Sequence, residues 1–338
     1  CAARGVRFVL DETYRDFLPS ATAKPHEVFA ASGWQDSVIG LYSFSKAYAV
    51  PGWRLGAITA GEPAIAQIGE FLRARGIAVL LERGTAESIG RPDEAADAEE
   101  IGHQADLAVA VGGDGTMLGL ARELAPYEVP LVGINHGRLG FVTDIALENW
   151  HDALGMILDG HYHAEERTLL TARVVRDQEI VWSALAMNDV VVNRSSRTGM
   201  IELQVHVDDL YMYSQRADGL IVATPTGSTA YALSANGPIL HPQVQGIVMV
   251  PVAPQALSNR PIVLPDDVTI TIRVVEGREP RVAGDMQVFS DLHVGDDIIV
   301  QRAPFRCRFL HPPDYTYYAT LRGKLNWHEL PILQQRKR

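Results

Sequence analysis

The sequence predicts an α/β domain built on a parallel sheet, followed by a β-rich, sandwich-like domain. Three observations predict it. Between about residues 65 and 150 helical and strand periods alternate, whereas from about 165 to 310 the apolar period settles at two. A glycine-dense loop also stands at a strand-to-helix junction of the first region, where open α/β sheets present their ligands.

Taken in order, Gly5 to Leu10 is an apolar run ending at Asp11, and Leu41 to Lys46 is a second run that stops before Pro51-Gly52. Ile65, Ile68, Phe71 and Leu72 then fall at helical spacing, predicting a helix over about Ala64 to Arg75 with Gly76 as its stop. Strands are predicted at Ile77 to Leu81, Asp106 to Val111 and Leu131 to Ile134, with a helix from about Thr116 to Ala125 between the last two. That βαβ rhythm implies parallel pairing. Farther on, Ile201 to Val207 alternates strictly and meets Asp208-Asp209 where a hairpin turn belongs. Pro265-Asp266-Asp267 signals another turn, Val268 to Val274 alternates again, and Asp297 to Val300 leads into a further strand. The expected divisions are 1–65, 66–160, 161–310 and a closing segment 311–338 whose polar, basic end frays.

At 338 residues, with 47% hydrophobic and 21% charged content, the chain can bury the cores of two or three domains. A formal charge of -11 excludes tight nonspecific nucleic-acid binding, so an anionic substrate must be held by a local site. Cys1 and Cys307 provide neither a disulfide framework nor a metal site, and no His/Cys/carboxylate cluster has metal spacing. His103, His136 and His241 read as loop or core histidines, and Tyr315, Tyr317 and Tyr318 as core or subunit interface. No apolar run is long enough to span a membrane and no secretion signal opens the sequence, so a cytoplasmic protein without a membrane partner is expected. A start at Cys1 reads as a fragment or a processed end.

Three runs carry chemistry. Leu107 to Val111 feeds into Gly112-Gly113-Asp114-Gly115-Thr116 and then a helix. The glycines permit positive φ and close backbone approach, so amide N–H groups there can face phosphate oxygens while Asp114 serves as a base or a magnesium partner. A tight turn with a capping Asp is the alternative. The second run, Asp218 to Tyr231, delivers four hydroxyl residues, a glycine turn and a Tyr, a set able to bond an uncharged ligand edge and stack on a base; a plain hairpin turn is the alternative. In the third, Asn188-Asp189 precedes a strand, as ribose-binding residues or as an Asx turn.

These runs, with Gly133 to Phe141, Leu257-Ser258-Asn259-Arg260-Pro261 and Gly284-Asp285-Met286-Gln287, resemble bacterial NAD kinases in identity, order and spacing. The resemblance covers about 68 to 330 and implies a nucleotide-binding α/β domain that transfers the terminal phosphoryl group of ATP, with Mg²⁺, to the adenosine ribose 2′-hydroxyl of NAD. It makes Asp114 the catalytic carboxylate and Gly112, Gly113, Gly115 and Thr116 the phosphate loop. Phe141, Asn188, Asp189, Arg216, Asp218, Thr229, Ala230, Tyr231 and Ser234 become NAD contacts, and Arg138 and Arg216 phosphate contacts, with a solvated surface Arg as the alternative for each of the two. It also implies a homo-oligomer. A lipid kinase shares such a glycine loop but not the Thr226 to Tyr231 run, and an inactive chimera that binds nucleotide is the other alternative.

Residues 1 to about 65 instead resemble pyridoxal-phosphate aminotransferases of class I/II, in Asp11-Glu12-Thr13-Tyr14 and Ser43 to Gly56. By that resemblance Lys46 is the Schiff-base lysine, Asp11 the pyridinium partner, Tyr14 a ring contact, and Ser43 and Arg54 phosphate ligands. The rest of that enzyme is missing from the sequence, so neither pyridoxal phosphate nor transamination is expected. Leu55 to Ala60 is expected to replace the kinase family's first strand, parallel to Ile77 to Leu81.

Overall fold

The computed structural model describes residues 8–11, 38–43, 56–59, 63–135, 140–195, 199–325 and 327. Two units emerge, Cys1–Ala95 and Ala96–Arg338.

In the first unit, β1 (Phe8–Asp11) pairs parallel with β2 (Val38–Ser43), and β2 pairs antiparallel with β3 (Gly56–Thr59). These three strands form a sheet of their own, so β3 does not replace a kinase strand as the sequence leads one to expect. Helix α1 (Pro63–Ala74) follows the predicted spacing, and Gly76 ends it at φ +76, a backbone shape that favours glycine. The run Ile77 to Leu81 is not the expected strand. Ile77 and Leu80 are 36% and 39% exposed, and regular pairing is confined to β4 (Leu81–Glu82), before the short helix α2 (Arg83–Ser88). An apolar run becomes a strand only where a neighbouring ladder accepts its backbone groups.

The second unit begins, after β5 (Ala95–Ala96), with α3 (Ala98–Gln104), whose Asp97 and Glu100 form a reciprocal capping box. Strand β6 (Ala108–Gly112), α4 (Asp114–Leu124) and β7 (Leu131–Asn135) make the predicted βαβ unit, with β6 and β7 parallel from Ala108↔Leu131 to Gly112↔Asn135. Met117, Leu118, Ala121 and Leu124 recur at helical spacing on α4 and bury against Ala108, Ala110 and Leu131. A short parallel strand, β8 (Ile145–Ala146), and α5 (Trp150–Leu158) complete this layer.

The β-rich part is two packed sheets. One runs β10 (Glu179–Ala186), β9 (His163–Arg176), β20 (Asp297–His311), β17 (Ile270–Glu276), β12 (Ile201–Val207), β13 (Leu210–Ala217). The other runs β16 (Ile262–Pro265), β15 (Gly246–Val252), β14 (Gly219–Ala223), β11 (Asp189–Arg194), β18 (Pro280–Gly284), β19 (Val288–Asp291). Alternation decides which faces meet: Leu203, Val205, Ile272 and Val300 of the first sheet share a core with Val190, Val192, Leu220 and Val222 of the second. The opposite face of β14 is buried as well, with Ile221 and Ala223 under Ala232 of helix α6 (Tyr231–Ser234), which explains the unbroken apolar run. Asp208 and Asp209 turn the β12–β13 hairpin at φ +49 and +65, as their placement predicts.

Strand β20 joins the layers. It pairs with β9 along its length, shifts register between Arg302 and Arg306, and meets β7 at Phe309↔Leu131. The irregularity bends the strand out of the sandwich and into the parallel sheet, so both layers share one continuous ladder. Helix α7 (Tyr317–Leu325) follows.

Candidate active site

The loop Gly112 to Thr116 sits at the carboxyl end of β6, with Gly113 as the N-cap of α4 and Asp114 as its first residue. None of its glycines uses positive φ, contrary to expectation. At Gly112 the reason is space, because a Cβ there would lie 2.5 Å from Thr116 Oγ1, whereas the Cβ position of Gly113 meets nothing within 4 Å. Gly113, Gly115 and Thr116 are exposed, so this end of the helix can receive an anion.

Asp114 is held from the loop after β7. Its Oδ2 accepts from Phe141 N at 2.9 Å; its Oδ1 accepts from Val142 N and Thr143 N at 3.2 Å and from Thr143 Oγ1 at 3.1 Å. Thr143 Oγ1 in turn accepts from Asn135 Nδ2 at 2.7 Å. The side chain of the next residue, Asp144, is buried with its Oδ2 2.9 Å from His311 Nδ1, which fixes this loop to the end of β20. Gly140 makes the approach possible, because a Cβ there would lie 1.8 Å from Asp114 Oδ1. Phe141 packs its ring at the edge of the α4 core. Asn135, Thr143 and His311 escape sequence reasoning; a polar residue closing the apolar strand β7 was the available signal for Asn135.

Asn188 and Asp189 open β11. Asp189 is 2% exposed, and burial, reinforced by the charge of Asp285, pushes its carboxyl from 3.8 to about 8 against the opposing backbone hydrogen bond of Tyr231. The Thr224 to Tyr231 turn closes over this point: Thr224 N donates to Asn188 O at 2.9 Å, and a Cβ on Gly227 would lie 1.9 Å from that same oxygen. The expected use of the hydroxyls needs correction. Thr224 Oγ1 donates to Met187 O, Ser228 Oγ to Pro225 O and Thr229 Oγ1 to Thr226 O, while Thr226 Oγ1 accepts from Arg167. They build the turn. What the turn leaves accessible is Thr229, Ala230 and Tyr231, half-buried, and Ser234, exposed. Tyr231 and Ser234 border a cavity of about 540 Å³ with Asn236, Pro251, Pro254 and Asn259. Burial raises the Tyr231 phenol, and the charges of Asp189 and Asp218 raise it further, which places those two carboxylates near its ring. Asp218 is bound by Arg194 at 2.8 Å. Arg216 is ion-paired with Glu202 at 3.6 Å and with Glu276 at 3.2 Å.

The turn between β18 and β19 touches both halves. Asp285 accepts from Met187 N, Asn188 N and Asp189 N at 3.0, 2.7 and 3.2 Å, and from Arg122 of α4 at 2.6 Å. Gln287 Nε2 donates to Gly115 O at 3.0 Å, and its Oε1 accepts from Arg122 at 2.6 Å.

Of the aminotransferase-like residues, Asp11 and Ser43 end β1 and β2, and Tyr14, Lys46 and Arg54 lie outside the described residues, as does Arg138. Among the described residues no group of three or more His, Cys, Asp or Glu side chains could hold a metal ion.

Residues 66–162 match the family model for the ATP-NAD kinase N-terminal domain, and residues 187–311 match that for the ATP-NAD kinase C-terminal domain. An NAD kinase of Burkholderia pseudomallei is 58% identical over 272 residues, covering 80% of this chain and 91% of that one. The chain belongs to the NAD kinase family. A second NAD kinase, from Burkholderia ambifaria, is 60% identical over 255 residues, covering 75% of this chain and 85% of that relative. An NAD kinase of Archaeoglobus fulgidus in complex with ATP superposes with a TM-score of 0.62 at 26% identity, over 79% of this chain and 96% of the other. Yeast NADH kinase complexed with NADH shares the fold at a TM-score of 0.75 and 24% identity, over 81% and 86% of the two chains. Residues 1–99 match the model for aminotransferase class I and II, a segment that overlaps the start of the NAD kinase match.

Proposed function

We propose that this NAD kinase joins the terminal phosphorus of ATP to the 2′-oxygen of the adenosine ribose of NAD, breaking the bond to the β-phosphate oxygen and releasing ADP and NADP. The observation that carries the reading is the asymmetric holding of Asp114, whose Oδ1 accepts three hydrogen bonds and whose Oδ2 accepts one. A carboxylate oxygen has two lone-pair positions, so Oδ2 keeps one open to orient the hydroxyl and take its proton. Gly113, Gly115 and Thr116 are exposed at this helix start and face the phosphates, although the Thr116 amide already donates to Gly113 O, and Asn188, Asp189, Asp218, Thr229, Ala230, Tyr231 and Ser234 hold the nucleoside. A divalent cation would be carried by the ATP phosphates themselves, since among the described residues no group of three or more His, Cys, Asp or Glu side chains could hold one. Such an ion neutralises charge on the transferring group.

NAD and ATP are then the partners, and cytoplasmic residence as a homo-oligomer is part of the same proposal. Among the described residues no helix is long and apolar enough to cross a membrane. The test is NADP formation from NAD and Mg-ATP by the unmodified chain and by Asp114→Asn. Loss of a general base lowers turnover by about 10²- to 10⁴-fold. Equal turnover in the two proteins sinks the mechanism.

A further inference from the structure

We propose that the turn between β18 and β19 is a positioning element that sets the separation of the two halves of the site, with Arg122, Asp285 and Gln287 as its positioning residues. The kinetic part of this inference rests on the phosphoryl-transfer reading above. Asp285 and Met286 hold φ of +51 and +53, a left-handed shape that Asp tolerates but Met rarely adopts. Strain of this kind persists only where the surroundings over-determine it. Here they do: the Asp285 side chain is fully buried, bonds three successive backbone N–H groups from Met187 to Asp189, and is paired with Arg122, itself 13% exposed. Asp285 N also donates to Asp189 O at 2.8 Å.

From the same turn Gln287 reaches the other half. Its amide spans Gly115 O and Arg122, and it lies over glycine faces of α4, since a Cβ on Gly115 would meet its Nε2 at 3.4 Å. Asp114 immediately precedes Gly115, and the ribose-side residues Asn188 and Asp189 hang on Asp285. The turn is thus a ruler between proton acceptor and nucleoside. Transfer depends on that distance in a way that binding of either nucleotide alone does not.

Gln287 is exposed, so its variants should fold. In the full chain, Gln287→Ala removes both arms, while Gln287→Glu keeps an acceptor for Arg122 and loses the donor to Gly115 O. We expect kcat to fall by about 10- to 100-fold in each, with KM for NAD and for ATP unchanged and the melting temperature preserved. Turnover equal to wild type in both variants, or a loss expressed wholly in KM, overturns the proposal. If the unmodified chain has no turnover, the phosphoryl-transfer reading fails separately, and amide exchange without nucleotide decides the positioning claim. Faster exchange in Gln287→Ala at both 112–116 and 187–189 supports it, and a change confined to the turn overturns it.

Discussion

Asp114 and Gly140 are a matched pair, the carboxylate occupying the space that any side chain at 140 would need. Gly140→Ala therefore puts a methyl group 1.8 Å from Asp114 Oδ1 and 2.4 Å from Thr143 Oγ1. A displacement on the order of 1 Å at the reacting group costs roughly 10²-fold. Steady-state NADP formation should show that loss in kcat, while the circular dichroism spectrum stays that of the wild type. Asp189 makes a prediction about pH. Its carboxyl is raised from 3.8 to about 8 by burial first and by the Asp285 carboxylate second. The folded protein thus retains a proton that the unfolded chain releases, so rising pH between those values progressively destabilises it, and the cost is complete above about 8. Facing groups are Asp285 with its partner Arg122, and Tyr231. Asp189→Asn removes the titration and keeps an oxygen for the Tyr231 N–H. Its melting temperature should fall less steeply with pH than that of the wild type, and parallel curves would contradict this account.

Among the elements, α4 carries both the Asp114 carboxylate and a full share of core. Met117 is completely buried, and its Cε stands 2.8 Å from where a Cβ on Gly133 would be, so helix and β7 are in direct contact. Truncation of such a residue costs about 2–5 kcal/mol. Urea unfolding of Met117→Ala should show that loss. The helix, the parallel pair beside it and the β12–β13 hairpin were legible because each is a short periodic pattern or a turn signal read over a few residues. What supports the site was not. Arg122 and Asp285 are 163 residues apart, and His311 is 167 from Asp144, so no local pattern joins them. Hydroxyls misled in the opposite sense: Thr224 and Ser228 resemble a ligand set, yet they satisfy backbone groups that the tight turn would otherwise leave unbonded. Ile77 to Leu80 is apolar enough for a strand and lacks a ladder to join.

At the scale of the molecule, the aminotransferase-like segment contributes a sheet of three strands, β1 to β2 to β3, that shares no ladder with the sheet holding β6 and β7. Removal of residues 1 to 62 should therefore leave turnover per molecule unchanged, because no strand of the Asp114 sheet is taken away. A truncated chain without NADP-forming activity would show that the segment does more than accompany the enzyme. The long strand β20 has a different consequence, felt on the ribosome. Strand β9 ends at Arg176, and the partner that pairs with it from Asp297 to His311 comes last among the strands. At ordinary synthesis speeds the 135 residues from 176 to 311 take roughly 7 to 27 s to emerge. Throughout that interval the nascent chain holds β9 and β7 with an unfilled edge each, so translation must outrun aggregation, or chaperones must cover those edges, before Asp144 can meet His311 and the loop around Asp114 can set.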